Sequence, residues 1–231
     1  MELKTEEVYF FDNSLAVEIK HPTMRVCGQY RVLAVDKFEV FFDGIYYSDN
    51  SYLFDLERNL RGSLGFSRMN RNFFEKCSKK IGEAPLSEKA KSILRIDLPI
   101  RVGRLKNLSW DDNCFREKDA YSRYFNEATL LKWGCREIEA SQIFLEPITD
   151  RKMPKRAVKI EADNGLCFNV KELIWKASQI RNDVVNGPSE GIGLYRSGVK
   201  NGIPVYYIWG FYDLANILKD YEEQGVDIAN G

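Results

Sequence analysis

The chain has one histidine, His21, for any acid–base or metal chemistry it performs. Hydrolases built on Ser–His or Cys–His pairs need an imidazole beside the nucleophile, and zinc sites usually draw on several His or Cys at short spacing. His21 precedes Pro22 with no nucleophile motif around it, so the sequence predicts a solvated turn residue. The five cysteines, Cys27, Cys77, Cys114, Cys135 and Cys167, are odd in number and form no CxxC, which suits neither a disulfide framework nor a ligand set. The expectation is a chain with no metal or other cofactor, its thiols reduced in a cytoplasmic compartment.

Carboxylates supply the remaining catalytic candidates. Glu18-Ile19-Lys20 has the E-x-K form in which two acids and a lysine surround magnesium in many nucleases, with Asp12 as the nearest further acid. Glu137-Ile138-Glu139 would put two carboxylates on one side of a strand, since alternate residues share a face. A transferase reading of that pair, of the ADP-ribosyl kind, would use Arg31 with Ser48 or Ser51 in support. Both motifs also arise by chance in a chain with 29% charged residues. Gly191, Gly193 and Gly198 miss the G-x-G-x-x-G spacing and adjoin an apparent strand, so a glycine-rich turn explains them better than a phosphate cradle.

Charge is distributed unevenly. Lys plus Arg and Asp plus Glu number 34 each, so the net balance selects no partner class. Between Arg58 and Lys106, however, thirteen basic residues face four acidic ones, while Met1–Glu57 holds five against eleven. Within the cationic stretch Arg58, Arg61, Arg68 and Arg71 alternate with Phe66, Phe73 and Phe74. Guanidinium forks take phosphates and flat rings stack on bases, so Arg58, Arg61, Phe66, Arg68, Arg71 and Phe73 are candidates for binding single-stranded nucleic acid or an acidic protein. The competing account pairs those arginines with the acidic strands before them. A second cluster, Tyr195, Arg196, Tyr207 and Trp209, carries the residue types enriched at protein-binding hot spots.

These candidates are positioned by the following elements. EVYFF, SLAVEIK, MRVCGQYRVLAV and KFEVFFDGIYY read as an antiparallel meander, with a hairpin turn at Asp43-Gly44. RNLRGSLGFSRMN reads as a loop, NRNFFEKCSKKIG as a helix stopped by Gly82, and the run after Ser87 as a second helix. Ser109–Gly134 reads as helical from its apolar spacing. CREIEASQIFLEPI and AVKIEAD read as a hairpin, followed by a turn at Asp163-Asn164-Gly165. A helix capped by Asn169 and Glu172 comes next, then IGLYRS, a turn at Asn201-Gly202, IPVYYIWGF and a terminal helix. IPVYYIWGF is an edge strand if Pro204 lies within it.

Strands and helices segregate, which makes the fold class α+β: an antiparallel N-terminal meander, a helical middle and a C-terminal β-β-α-β-β-α segment. One domain of 231 residues is expected, with room for a subdivision near 105–110 into a β-rich 1–106 and an α+β 107–231. The acidic N-terminus resembles no signal peptide and no apolar run reaches ~18 residues, so no membrane partner is expected. A non-enzymatic interaction protein of adaptor, immunity or regulatory type leads. A nucleic-acid-binding or processing protein using Arg58–Arg71 comes second. A transferase or nuclease using Glu137/Glu139 or Glu18/Lys20 comes third.

Overall fold

The computed structural model describes residues 2–15, 27–45, 63–105, 108–132, 135–148, 156–182 and 191–209. The fold is α+β. The chain divides into two compact units, one holding Met1–Asp97 and the other Leu98–Lys219.

The first unit contains β1 (Glu7–Asp12), β2 (Cys27–Val35), β3 (Glu39–Ile45), β4 (Ser63–Gly65), β5 (Ser67–Asn70), α1 (Arg71–Cys77), β6 (Ser78–Glu83) and α2 (Glu88–Leu94). An antiparallel sheet runs in the order β5-β3-β2-β1-β6. Period-two alternation puts Tyr9, Phe11, Tyr30, Val32, Val40 and Phe42 on one face, where they bury against Phe74 and Cys77 of α1. The Phe74 ring lies 5.7 Å from Tyr9 and 5.9 Å from Phe11 on β1, 6.4 Å from Tyr30 on β2 and 5.9 Å from Phe42 on β3, so one aromatic side chain ties three strands together.

Three local expectations change in this unit. Asp43-Gly44 is no turn but the middle of β3, because Asp43 lies opposite Arg31 and their side chains form a buried ion pair at 3.2 Å. The β2–β3 reversal falls at Asp36 instead, whose carboxylate accepts from the N–H groups of Phe38 and Glu39, each at 2.7 Å. The presumed loop contains β4 and β5, the latter paired with β3. The helix after Asn70, which caps it by accepting from Phe73 N–H at 3.0 Å, stops at Cys77 and not at Gly82. SKKIGE then becomes β6, because β1 has a free edge to pair with. Of SLAVEIK only Ser14 and Leu15 are described, in a single helical turn, and His21 lies outside the described residues.

The second unit contains β7 (Arg101–Leu105), α3 (Lys118–Tyr124), α4 (Glu127–Lys132), β8 (Gln142–Pro147), β9 (Val158–Glu161), α5 (Val170–Asn182), β10 (Ile192–Lys200) and β11 (Ile203–Trp209). Neighbouring strands run β7, β10, β11, β8, β9, all antiparallel except the parallel β11–β8 pair. Ile143 and Leu145 of β8, Leu194 of β10, and Tyr206 and Ile208 of β11 form a core with Leu173, Ile174 and Ala177 of α5. Trp110, Phe115, Tyr121 and Phe125 join the same core.

The helical stretch after Ser109 is broken where Asn126 accepts from Thr129 N–H at 2.8 Å and starts α4 afresh. Gly103, at φ +87°, runs so close to Cys135 that an added Cβ would lie 2.5 Å from its Sγ. Asn169 caps α5 as expected, accepting from Glu172 N–H at 2.8 Å. The Glu172 carboxylate turns instead to Asp163 N–H at 2.7 Å, and Glu127 of α4 takes the helix's free donors, Val170 N–H at 2.8 Å and Lys171 N–H at 3.3 Å. Pro204 lies within β11, yet β11 is an interior strand. It stands one residue before the pairing with β8 begins at Val205–Phe144, so its missing N–H interrupts no bond to β8. The segment expected as the terminal helix lies outside the described residues.

Candidate functional site

The face of the second sheet turned away from α5 holds the C-terminal aromatic candidates. Residues paired across neighbouring strands share a face, and Tyr195 pairs with Arg101 on β7 and with Tyr207 on β11, which in turn pairs with Glu146 on β8. One rank therefore runs Arg101, Tyr195, Tyr207, Glu146 across four strands. The next rung towards the start of β11 holds Val205, Phe144 and Lys159.

Cations lie on the rings of this face. The Arg101 guanidinium is 4.7 Å from the centre of the Tyr195 ring, and Lys200 Nζ is 5.2 Å from that of Phe144. The negative face of each ring attracts the charge while the cation's stem covers apolar area. Tyr195 is 7% exposed beneath this cover, whereas Tyr207, Phe144 and Glu146 are half-buried. Partial burial lifts the Glu146 carboxyl above its ordinary value, with Lys200 opposing the lift. Half-buried aromatics bordered by cations and one carboxylate can recognise and orient a ligand. No nucleophile–base pair stands in this rank.

Among the four C-terminal candidates, Tyr195 and Tyr207 are brought together, and Trp209 lies opposite Gly193 farther along β11. Arg196 is not part of the group. It pairs with Tyr206 on the other face and is 2% exposed, because neighbouring residues of a strand point to opposite sides. Arg101, Phe144, Glu146 and Lys200 were not singled out from sequence. The alternation in QIFLEP was the available signal, and it was obscured by starting the strand seven residues early, at Cys135.

That early start also placed Glu137 and Glu139 on a strand. Both are exposed, but Cys135–Ser141 makes only the isolated bridge Ile138–Phe168 and belongs to no ladder. The alternation of buried residues changes phase after Ala140, so Ile143 and Leu145 point inward and Gln142 does not. Glu18 and Lys20 lie outside the described residues, as do Ser48 and Ser51.

The cationic candidates divide similarly. Arg58 and Arg61 lie outside the described residues. Arg68 on β5 faces Glu39 on β3 at 3.9 Å. Arg71 bonds Glu75 at 2.8 Å and donates to the Asp36 carbonyl at 3.3 Å. Phe73 packs edge-on against Phe11 at 5.7 Å, and Phe66 lies 6.1 Å from Phe41. Phe66, Arg68 and Phe73 thus contact the preceding strands, and Arg71 contacts its own helix and the β2–β3 turn.

Among the described residues no helix is long and apolar enough to cross a membrane. Compared with protein-family models, curated proteins and solved structures, the chain matches none.

Proposed function

We propose that the chain is a non-enzymatic interaction protein that binds a protein partner on the Arg101–Tyr195–Tyr207–Glu146 face of its second unit. The single observation that carries this reading is the cross-strand grouping of Tyr195 with the half-buried Tyr207 and Phe144, with cations on the Tyr195 and Phe144 rings. Tyrosine and arginine are enriched at binding hot spots, and an ordered sheet holds them ready before the partner arrives. Arg101 and Lys200 lie on the rings with Glu146 the carboxylate in the rank, so the fitting partner is a segment with apolar side chains flanked by carboxylates. The inward pairing of Arg68 and Arg71 favours this reading over nucleic acid on the cationic segment. The five free thiols fit a reducing, cytoplasmic setting.

The test is a proteome-wide affinity capture with the intact chain and with Tyr207→Ala and Phe144→Ala variants, each checked for an unchanged near-ultraviolet circular dichroism spectrum. Specific proteins retained by the parent and lost from both variants support the proposal. Equal retention by folded variants refutes the assigned face. Fluorescence-anisotropy titration against single-stranded DNA and RNA at about 50 and 200 mM salt runs in parallel, because phosphate binding collapses with salt. Salt-sensitive nucleic-acid binding with no captured protein overturns the proposal in favour of a nucleic-acid partner.

A further inference from the structure

The turn Asp163-Asn164-Gly165-Leu166-Cys167 joins β9 to α5 and is held unusually firmly for an exposed loop. Asn164 Oδ1 accepts from Leu166 N–H at 2.8 Å and from Cys167 N–H at 2.9 Å. Its Nδ2 donates to Cys167 Sγ at 3.4 Å. Gly165 sits at φ +71°, with nothing within 4 Å of where a Cβ would be. Lys176 bonds Asp163 and Glu172, each at 2.7 Å, and fastens the base of the turn to α5. Leu166, 76% exposed, stands at its tip.

We infer that Asn164 is a self-modifying site at which the side-chain amide is lost and a succinimide, then an aspartyl or isoaspartyl residue, replaces it. The chemistry needs only water. The Gly165 nitrogen gives up its proton to hydroxide and bonds to Cγ of Asn164. The Cγ–Nδ2 bond then breaks and ammonia departs with a proton from water. Water opens the resulting ring at either carbonyl. Three features of the turn serve this sequence. Glycine at the attacking position carries no side chain beside its nitrogen and adopts φ +71° without strain. Two N–H donors already point at Oδ1, the atom that becomes an oxyanion in the tetrahedral intermediate, and they are placed before reaction begins. Solvent reaches the exposed Asn164 and Gly165 to carry protons and ammonia away. The Gly165 N–H also donates to the Ala162 carbonyl at 2.9 Å, so the step requires that bond to open and should accelerate as pH rises. The product carries a new negative charge beside the exposed Leu166.

Of the four Asn-Gly pairs in the sequence, Asn201-Gly202 is the other one among the described residues; it too is exposed and provides an internal reference. The full chain is incubated at pH 8 in buffer and, separately, in denaturing urea, and ammonia loss at each asparagine is followed by peptide mass spectrometry in heavy-oxygen water. Unfolding removes the donor pair and leaves local sequence unchanged. The expected result is that Asn164 reacts about tenfold faster in the folded chain than in urea, from two hydrogen bonds strengthened in the intermediate, while Asn201 is not accelerated. An Asn164 rate in the folded chain equal to or below that in urea overturns the inference, because the turn would then protect the amide. Equal acceleration of Asn201 also overturns it, since the donor pair would not be the cause.

Discussion

Replacing Asp43 by Asn should destabilise the first unit by about 3–5 kcal/mol, the usual cost of breaking a buried ion pair at one of its partners. Arg31 is 1% exposed and Asp43 6%, with their side chains 3.2 Å apart across β2 and β3. Arg31 also donates to the Ala84 carbonyl at 3.2 Å. Asparagine keeps the shape and removes the charge, so the loss reports electrostatics and not a cavity. The complementary double change, Arg31→Met with Asp43→Leu, should restore most of the stability, because well-packed apolar residues often match a buried pair. Urea denaturation followed by far-ultraviolet circular dichroism measures both, with the midpoint shift converted through the slope. A loss below about 1 kcal/mol for Asp43→Asn would mean that water reaches the guanidinium, and the burial argument would fail. A double variant less stable than the single one would show that the strand pairing itself needs the charges.

Two further predictions follow from perturbed groups. The Glu7 carboxyl is held below its ordinary value of 4.5, first by the hydrogen bond from Lys80 and then by that from Tyr9. A carboxylate with a depressed folded value contributes stability that is fully present above pH 4.5 and is lost as pH falls through the folded value. Glu7→Gln should therefore flatten the acid limb of a stability–pH curve and leave its slope near neutrality unchanged; a parallel acid limb would count against the pairing. Burial pushes the Cys135 thiol up to about 12, so in the native protein at pH 8 an exposed thiol such as Cys27 should react with a colorimetric thiol reagent well before Cys135. Mass mapping of the labelled cysteines checks the order, and early labelling of Cys135 would show that Gly103 and its surroundings do not seal it.

Much of the fold was legible because it rests on local rules. The Val-, Phe- and Tyr-rich runs EVYFF and CGQYRVLAV identify β1 and β2, since branched and aromatic side chains pack well on a pleated surface. Asn169 before Val170, and Asn201-Gly202 between two strands, mark their cap and turn because short side chains and glycine satisfy backbone demands within a few residues. The α+β segregation was readable for the same reason.

Tertiary structure decided what depends on partners distant in sequence. Asp43-Gly44 has turn composition but became strand because Arg31, twelve residues away, neutralises the aspartate inside a sheet. SKKIGE has helix-compatible lysines but became β6 because β1 offers it an unpaired edge. Tyr195 and Tyr207 were both visible in the sequence, yet nothing local joins them to Arg101 or Glu146. That rank exists only through strand register, which is set by the summed burial of Leu194, Tyr206, Ile208 and Leu145 on the opposite face. Composition and period thus determine which residues this chain can bury, while register across the sheet determines which ones stand together.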